Sequence, residues 1–303
     1  EDGKTLYYSS ERDGHWGIYA TSLTEKDDKY FTYSVKMEEK MVTGPDQTCF
    51  QPQVSPDGKW LAFLRDRTEL VVKDIKTGKE KSLHKGINYS YTDGDQSFAW
   101  SPDSKYLLCN WQADGGWNNE DIALVDIETG KITDLTESGY TDGNFRWALG
   151  GKAMTWMSDR AGYRSHGSWG AEYDVYAMFF DGKEFYKFTR DKESDEMETM
   201  LAEEKELKKE EKKEAKDSAK VEKGEQKLEL DLDNRADRIV RLTRFSGMLG
   251  DHYLNSDGSK LYYMTRLEKG YDLCVLDIKE GDINVLAKGL VGSIYPTKDD
   301  KAF

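Results

Sequence analysis

The chain has 303 residues, 37% hydrophobic and 12% aromatic, enough for one large β domain or two ordinary ones and too large for a small stapled scaffold. Its formal net charge of −14, with no Lys/Arg run free of acids, argues against nucleic acid or an anionic membrane surface as a partner. No run of about 18 apolar residues occurs, so no membrane span is expected, and the opening Glu1-Asp2-Gly3-Lys4 reads as a trimmed start, neither initiator Met nor signal peptide. Cys49, Cys109 and Cys274 stand apart in strand-like apolar runs and read as buried free thiols, which leaves the compartment open.

Taken in chain order, the predicted elements repeat. A turn falls near Gly3, Gly58, Ser104, Gly151, Gly258 and Asp300. Four of the five intervals run from about 42 to 55 residues, the period of a four-stranded propeller blade, and the fourth interval is about twice that. A first strand precedes the turn, as in Phe98-Ala99-Trp100, Phe145-Arg146-Trp147 and His252-Tyr253-Leu254. A second follows it, as in Leu61 to Leu64, Leu107 to Trp111, Met154 to Met157 and Leu261 to Thr265, rich in residues that suit a pleated surface. After a polar loop comes a third strand, at Ile18 to Ala20, Leu70 to Val72, Ile122 to Val125, Val175 to Ala177 and Leu273 to Leu276. It ends in "DIKTGK", "DIETGK" or "DIKEGD", whose glycine supplies the positive φ of a tight hairpin. A fourth strand closes the unit, as in Ile132 to Thr136 and Ile239 to Thr243.

The phrase "SPDG" at Ser55 to Gly58, with its variant at Ser101 to Ser104, is turn chemistry: proline presets φ, aspartate bonds the backbone two residues on, and glycine takes the left-handed position. A catalytic role for Asp57 or Asp103 is not needed to explain it. The long interval holds a charged insertion at 191–226, rich in Glu, Lys and Ala but almost without an apolar stripe, predicted as fraying helix or disorder, with a docking arm as the alternative. A second charged insert lies near Thr24 to Lys40. The fold class expected is therefore all-β, a propeller of four-stranded antiparallel blades spanning 1–303, with five blades and the start of another from a six- or seven-bladed ring. Either terminal strands complete one another or the ring extends beyond this chain.

The loops between second and third strands, which in this strand order share a face with the links between blades, carry the unusual residues. They are "ERDGHWG" (Glu11 to Gly17), "QADGGWNNE" (Gln112 to Glu120) and "DRAGYRSHGSWGAEYD" (Asp159 to Asp174). Candidate peptide-contact residues are Asp13, His15, Trp16, Trp117, Asn118, Arg164, His166 and Trp169, since aromatics mixed with hydrogen-bonding groups suit peptide or sugar contact. The competing reading is that the tryptophans pack over neighbouring blades and the aspartates cap turns. "HGSWG" at His166 to Gly170 is not a nucleophile elbow, because histidine stands where glycine is required. The four histidines form no local metal motif, and phosphate-binding glycine loops are absent, so no catalytic residue, metal or cofactor is assigned.

The units "SPDGKWLAF…LVVKDIKTGK" and "SPDSKYLLCNW…DIALVDIETGKITDLT" resemble the propeller repeats shared by TolB, prolyl-oligopeptidase-type peptidases and tricorn-like proteases. The segment "LELDLDNRADRIVRLTRFSG" (Leu228 to Gly247) is similar to the one that follows a charged insert in tricorn-like serine peptidases, including those of Bacteroidetes-type bacteria. That resemblance implies a non-catalytic amino-terminal propeller that gates or binds peptides or unfolded polypeptide for a downstream PDZ domain and a serine-peptidase domain of the C-terminal-processing type. It also implies a periplasmic location, with cytoplasm as the alternative, and allows a homo-oligomer. The same repeats leave room for a TolB-like protein-binding propeller or the lid of a prolyl-oligopeptidase-type enzyme.

Overall fold

A computed structural model describes residues 3–92, 94–112, 118–164, 170–198, 200–201, 228–297 and 300. The chain divides into two compact units, residues 1–143 and 144–303. The first contains β1 (Thr5–Ser10), β2 (Gly17–Leu23) and β3 (Met37–Met41); β4 (Cys49–Val54), β5 (Trp60–Arg65), β6 (Glu69–Asp74) and β7 (Glu80–Lys85); and β8 (Phe98–Trp100), β9 (Tyr106–Trp111), β10 (Asp121–Asp126) and β11 (Ile132–Asp134). The second is built on β12 (Asp142–Ala148), β13 (Ala153–Ser158), β14 (Asp174–Phe179) and β15 (Ile239–Arg241), then β16 (Leu249–Leu254), β17 (Lys260–Thr265), β18 (Tyr271–Asp277) and β19 (Ile283–Leu290). Consecutive strands pair antiparallel in every sheet; four sheets have four strands and the first has three. This is the all-β blade plan that the repeat predicts.

The turns explain why the strands start where they do. All six aligned turn positions, Gly3, Gly58, Ser104, Gly151, Gly258 and Asp300, have positive φ, between 55° and 93°. Ser55 Oγ donates to Asp57 Oδ1 at 2.7 Å and accepts from Trp60 N at 2.9 Å, while Lys59 N donates to Asp57 Oδ1. Ser101, Asp103, Tyr106 and Lys105 repeat the same bonds. Asp57 and Asp103 are thus turn-builders. The hairpin glycines Gly78, Gly130 and Gly281 also have positive φ, beside aspartates that accept from the turn backbone.

A threonine just past the fourth strand ties it to the start of the third. Thr43, Thr136 and Thr243 accept from the amides of Ile18, Ile122 and Val175 at 3.0 to 3.1 Å. Thr136 and Thr243 also donate to the buried carboxylates of Asp121 and Asp174. Hydrophobic faces then stack sheet on sheet within each unit: Phe50, Leu64, Leu70, Leu107 and Val125 in one cluster of the first unit, Phe179, Leu254, Leu261 and Leu276 in the second. Each such fully buried side chain contributes about 1.5–3 kcal/mol. Cys49, Cys109 and Cys274 are buried and unpaired.

The excursion between β14 and β15 begins earlier than the insertion's expected start at Asp191. Helix α1 (Gly182–Thr189) is capped by Asp181, which accepts from Lys183 N and Glu184 N. Phe185 and Phe188, one helical turn apart, pack their rings on Phe179 at 5.6 and 4.9 Å. Residues 192–198 are helical, and 199 and 202–226 of the insertion lie outside the described residues.

Candidate functional site

The loops between second and third strands are not alike. In the first, Arg12 donates through Nε to Ser10 Oγ at 3.1 Å and lays its guanidinium over Tyr19, 4.2 Å from the ring centroid. The third repeats this device: Arg160 Nε donates to Ser158 Oγ at 3.0 Å, and the guanidinium lies 5.0 Å from the Tyr176 ring. Stacked, hydrogen-bonded arginines of this kind close a loop onto its own sheet. The signal was present as Ser-x-Arg-x-Gly in "SERDG" and "SDRAG".

The loop at 112–120 is anchored differently, between two links to neighbouring strands. From the link before β8, Asn88 Nδ2 donates to Asn110 O, Gln112 N donates to Asn88 Oδ1, and Tyr89 N donates to Gln112 Oε1. From the link before β12, Thr141 Oγ1 donates to Asn118 O at 2.7 Å and Asp142 N donates to Glu120 O at 2.8 Å. At the centre the half-buried Glu120 carboxylate accepts from Asn110 Nδ2 at 3.0 Å, from Gln96 Nε2 at 3.4 Å and from Gln112 Nε2. Among the described residues no cation pairs with it. Burial pushes the Glu120 carboxyl up, opposed by these amide bonds. Gln96 is itself buried, and its Oε1 has no partner.

Tyr89 and Tyr91 meet edge to face at 4.7 Å on the first link, and both are exposed, as is Tyr140 on the second. The cluster therefore offers what a chain segment needs for docking: exposed aromatic faces and a partly desolvated negative charge that no cation meets among the described residues. Asp121 follows Glu120 in the chain, and Asp134 pairs with Ala123 between β11 and β10. Burial raises both, Asp134 to about 6. Among the described residues no group of three or more His, Cys, Asp and Glu is placed to hold a metal ion.

No protein-family model matches the chain, and no curated protein matches it in sequence. Solved structures do. The crystal structure of the tricorn protease superposes with a TM-score of 0.65 over 98% of this chain at 14% identity, and this chain spans 27% of that one. The fold is a tricorn-like β-propeller. TolB from Acinetobacter baumannii aligns over 95% of this chain and 54% of its own length at 17% identity, with a TM-score of 0.49. TolB from Agrobacterium tumefaciens aligns over 84% of this chain and 67% of its own, at 14% identity and a TM-score of 0.46.

Within this propeller fold, the candidates named from sequence fall into separate settings. Asp13 accepts from the Tyr19 hydroxyl, which raises the phenol's pKa. His15 is half-buried with Nε2 unpartnered, and Trp16, half-buried, accepts the Cys49 amide on its carbonyl at 2.7 Å. Arg164 Nε pairs with the buried Asp159 carboxylate at 3.1 Å. Asn118 belongs to the Glu120 cluster. Trp117, His166 and Trp169 lie outside the described residues. Nothing local in the sequence marks Asn88, Gln96, Asn110 or Glu120, because their relation is made by strand register, β8 pairing β9 and β9 pairing β10.

Proposed function

We propose that this chain is the non-catalytic propeller domain of a tricorn-like serine peptidase, binding peptides or unfolded polypeptide for a downstream PDZ and protease region. The reading carries with it a bacterial periplasmic location. Among the described residues no helix is long and apolar enough to cross a membrane. The observation that carries the proposal is Glu120, a half-buried carboxylate that among the described residues is held by amides alone, with exposed Tyr89, Tyr91 and Tyr140 on the adjoining links. An ammonium from a peptide amino terminus or a basic side chain supplies the missing counter-charge, and the tyrosine faces take neighbouring side chains. Asn118 and Trp117, in the same loop, are proposed to contact the same peptide. Asp13, His15, Trp16, Arg164, His166 and Trp169 are proposed as contacts within their own loops.

Calorimetric titration of the purified chain with an unstructured peptide and with its N-acetylated form tests this. The free-amine peptide should bind more tightly, and Glu120→Gln should weaken it about tenfold and erase the difference between the two forms. Equal binding of both peptides by the native chain and by Glu120→Gln counts against Glu120 as the anchor. Hydrolysis of casein by the purified chain counts against a non-catalytic domain.

A further inference from the structure

The second unit contains a cavity of about 300 Å³ between the end of α1, strand β15 and the hairpin joining β18 to β19. In a chain of net charge −14, this cavity is lined by Arg190, Lys192, Arg241, Arg244 and Lys279, with Asp191 the one carboxylate among its lining residues. Three of the cations are met by carboxylates: Arg190 by Asp195 and Glu198, Lys192 by Glu280, and Arg241 by Asp174. Two are not. Lys279 Nζ donates to the carbonyls of Phe188 and Arg190 at 3.1 and 2.7 Å, bonds that hold the ammonium in place, and after the Ser194 hydrogen bonds its charge helps keep the lining Asp191 carboxyl below the usual range, so Asp191 offsets it in part. Arg244, among the described residues, has no hydrogen-bond or ion-pair partner.

The position of Arg244 is built. Its guanidinium lies against Gly281, where a Cβ would overlap it, so the glycine needed for the hairpin's positive φ also makes room for the guanidinium. A second orphan points the same way: the Arg190 side chain is 8% exposed, and its Nε is buried without a partner. The rest of the lining includes Leu276, Ile278 and Val240, an apolar setting in which an ion pair is weakened less by water than on an open surface.

We propose that this cavity is an oxyanion-binding site, taking a carboxylate or phosphate group of a small ligand between Arg244 and Lys279, with the aliphatic wall receiving an apolar stem. It stands apart from the peptide reading, since none of its residues belongs to the Glu120 cluster.

The test uses the whole chain in low-salt buffer, titrated calorimetrically with inorganic phosphate, with N-acetyl-leucine, and with neutral N-acetyl-leucinamide. Saturable binding of either anion and none of the amide is expected. It should weaken about tenfold or more in Arg244→Ala and be partly kept in Arg244→Lys, which retains the charge but not the planar fork. Arg244 is exposed, so both variants should fold, which circular dichroism verifies. Lys279→Gln is an independent second variant, because its amide still donates to the helix-end carbonyls while the charge is gone. Binding of phosphate alone or of the acid alone supports the site and tells the two sources apart. No saturable binding of either anion, or binding unchanged in both Arg244→Ala and Lys279→Gln, overturns the proposal.

Discussion

Two glutamates sit at the mouths of third strands in the first unit, Glu69 at the start of β6 and Glu120 immediately before β10, and their surroundings send them in opposite directions. Glu69 accepts a two-pronged bond from Arg65, at 3.0 and 3.1 Å, and that guanidinium holds its carboxyl down to about 2. Glu120 has three amides and, among the described residues, no cation, and burial moves it up. A charge satisfied inside the protein holds strands together. A charge left to neutral amides is positioned but not neutralised, which is the condition under which an incoming cation gains most.

The largest effect expected from breaking this contrast is in Arg65→Ala. It leaves the nearly buried Glu69 with the Ser82 hydroxyl and, 3.7 Å away, Lys85 in place of a two-pronged guanidinium, and should cost about 3 kcal/mol, read as a lower urea midpoint. The acid limb of stability sharpens the contrast further. Because Glu69 is depressed when folded, its contribution is present above the ordinary carboxylate pKa and disappears as pH falls toward 2, so Glu69→Gln should flatten that limb. Glu120 is raised, so it opposes folding above its folded pKa and the penalty is relieved on acidification. Glu120→Gln should therefore remove a slope of the opposite sign, with stability at neutral pH unchanged or slightly higher. Urea melts of the two variants from pH 7 to pH 2 separate these behaviours, and curves displaced in the same direction would contradict the assignment.

A smaller effect belongs to His84, buried edge-on to Trp111 at 5.8 Å with Nδ1 unpartnered. Burial lowers its pKa to about 4, and the nearby Glu69 charge opposes this only in part. The unfolded chain takes up the proton first, so stability falls as pH drops from the ordinary histidine pKa of 6.5 toward 4. His84→Phe keeps an aromatic edge on Trp111 and should abolish the slope in that window alone.

Much of the architecture was legible because its determinants are local. Phe98-Ala99-Trp100 is β8 as expected, and the six turn positions share positive φ because each is set by a few neighbouring residues, with Ser-Pro-Asp-Gly at Ser55 to Gly58 the fullest version. Helix α1 was missed for a related reason: its apolar residues are few, and Phe185 and Phe188 become a helical face only because Phe179 lies beneath them. The Glu120 cluster left no such trace. Its hydrogen-bonded partners lie up to 24 residues apart, and each alone is an ordinary polar residue of a loop or strand end.

By itself, then, the sequence determined the blade: alternating apolar strands, the turn that starts each second strand, and the hairpin that ends each third, all set by backbone preferences and side-chain period. Only the tertiary structure decided which charges are neutralised. Whether a guanidinium, an amide or nothing faces a given carboxylate depends on strand register and on how links fold back across sheets, and those are settled by packing at long range.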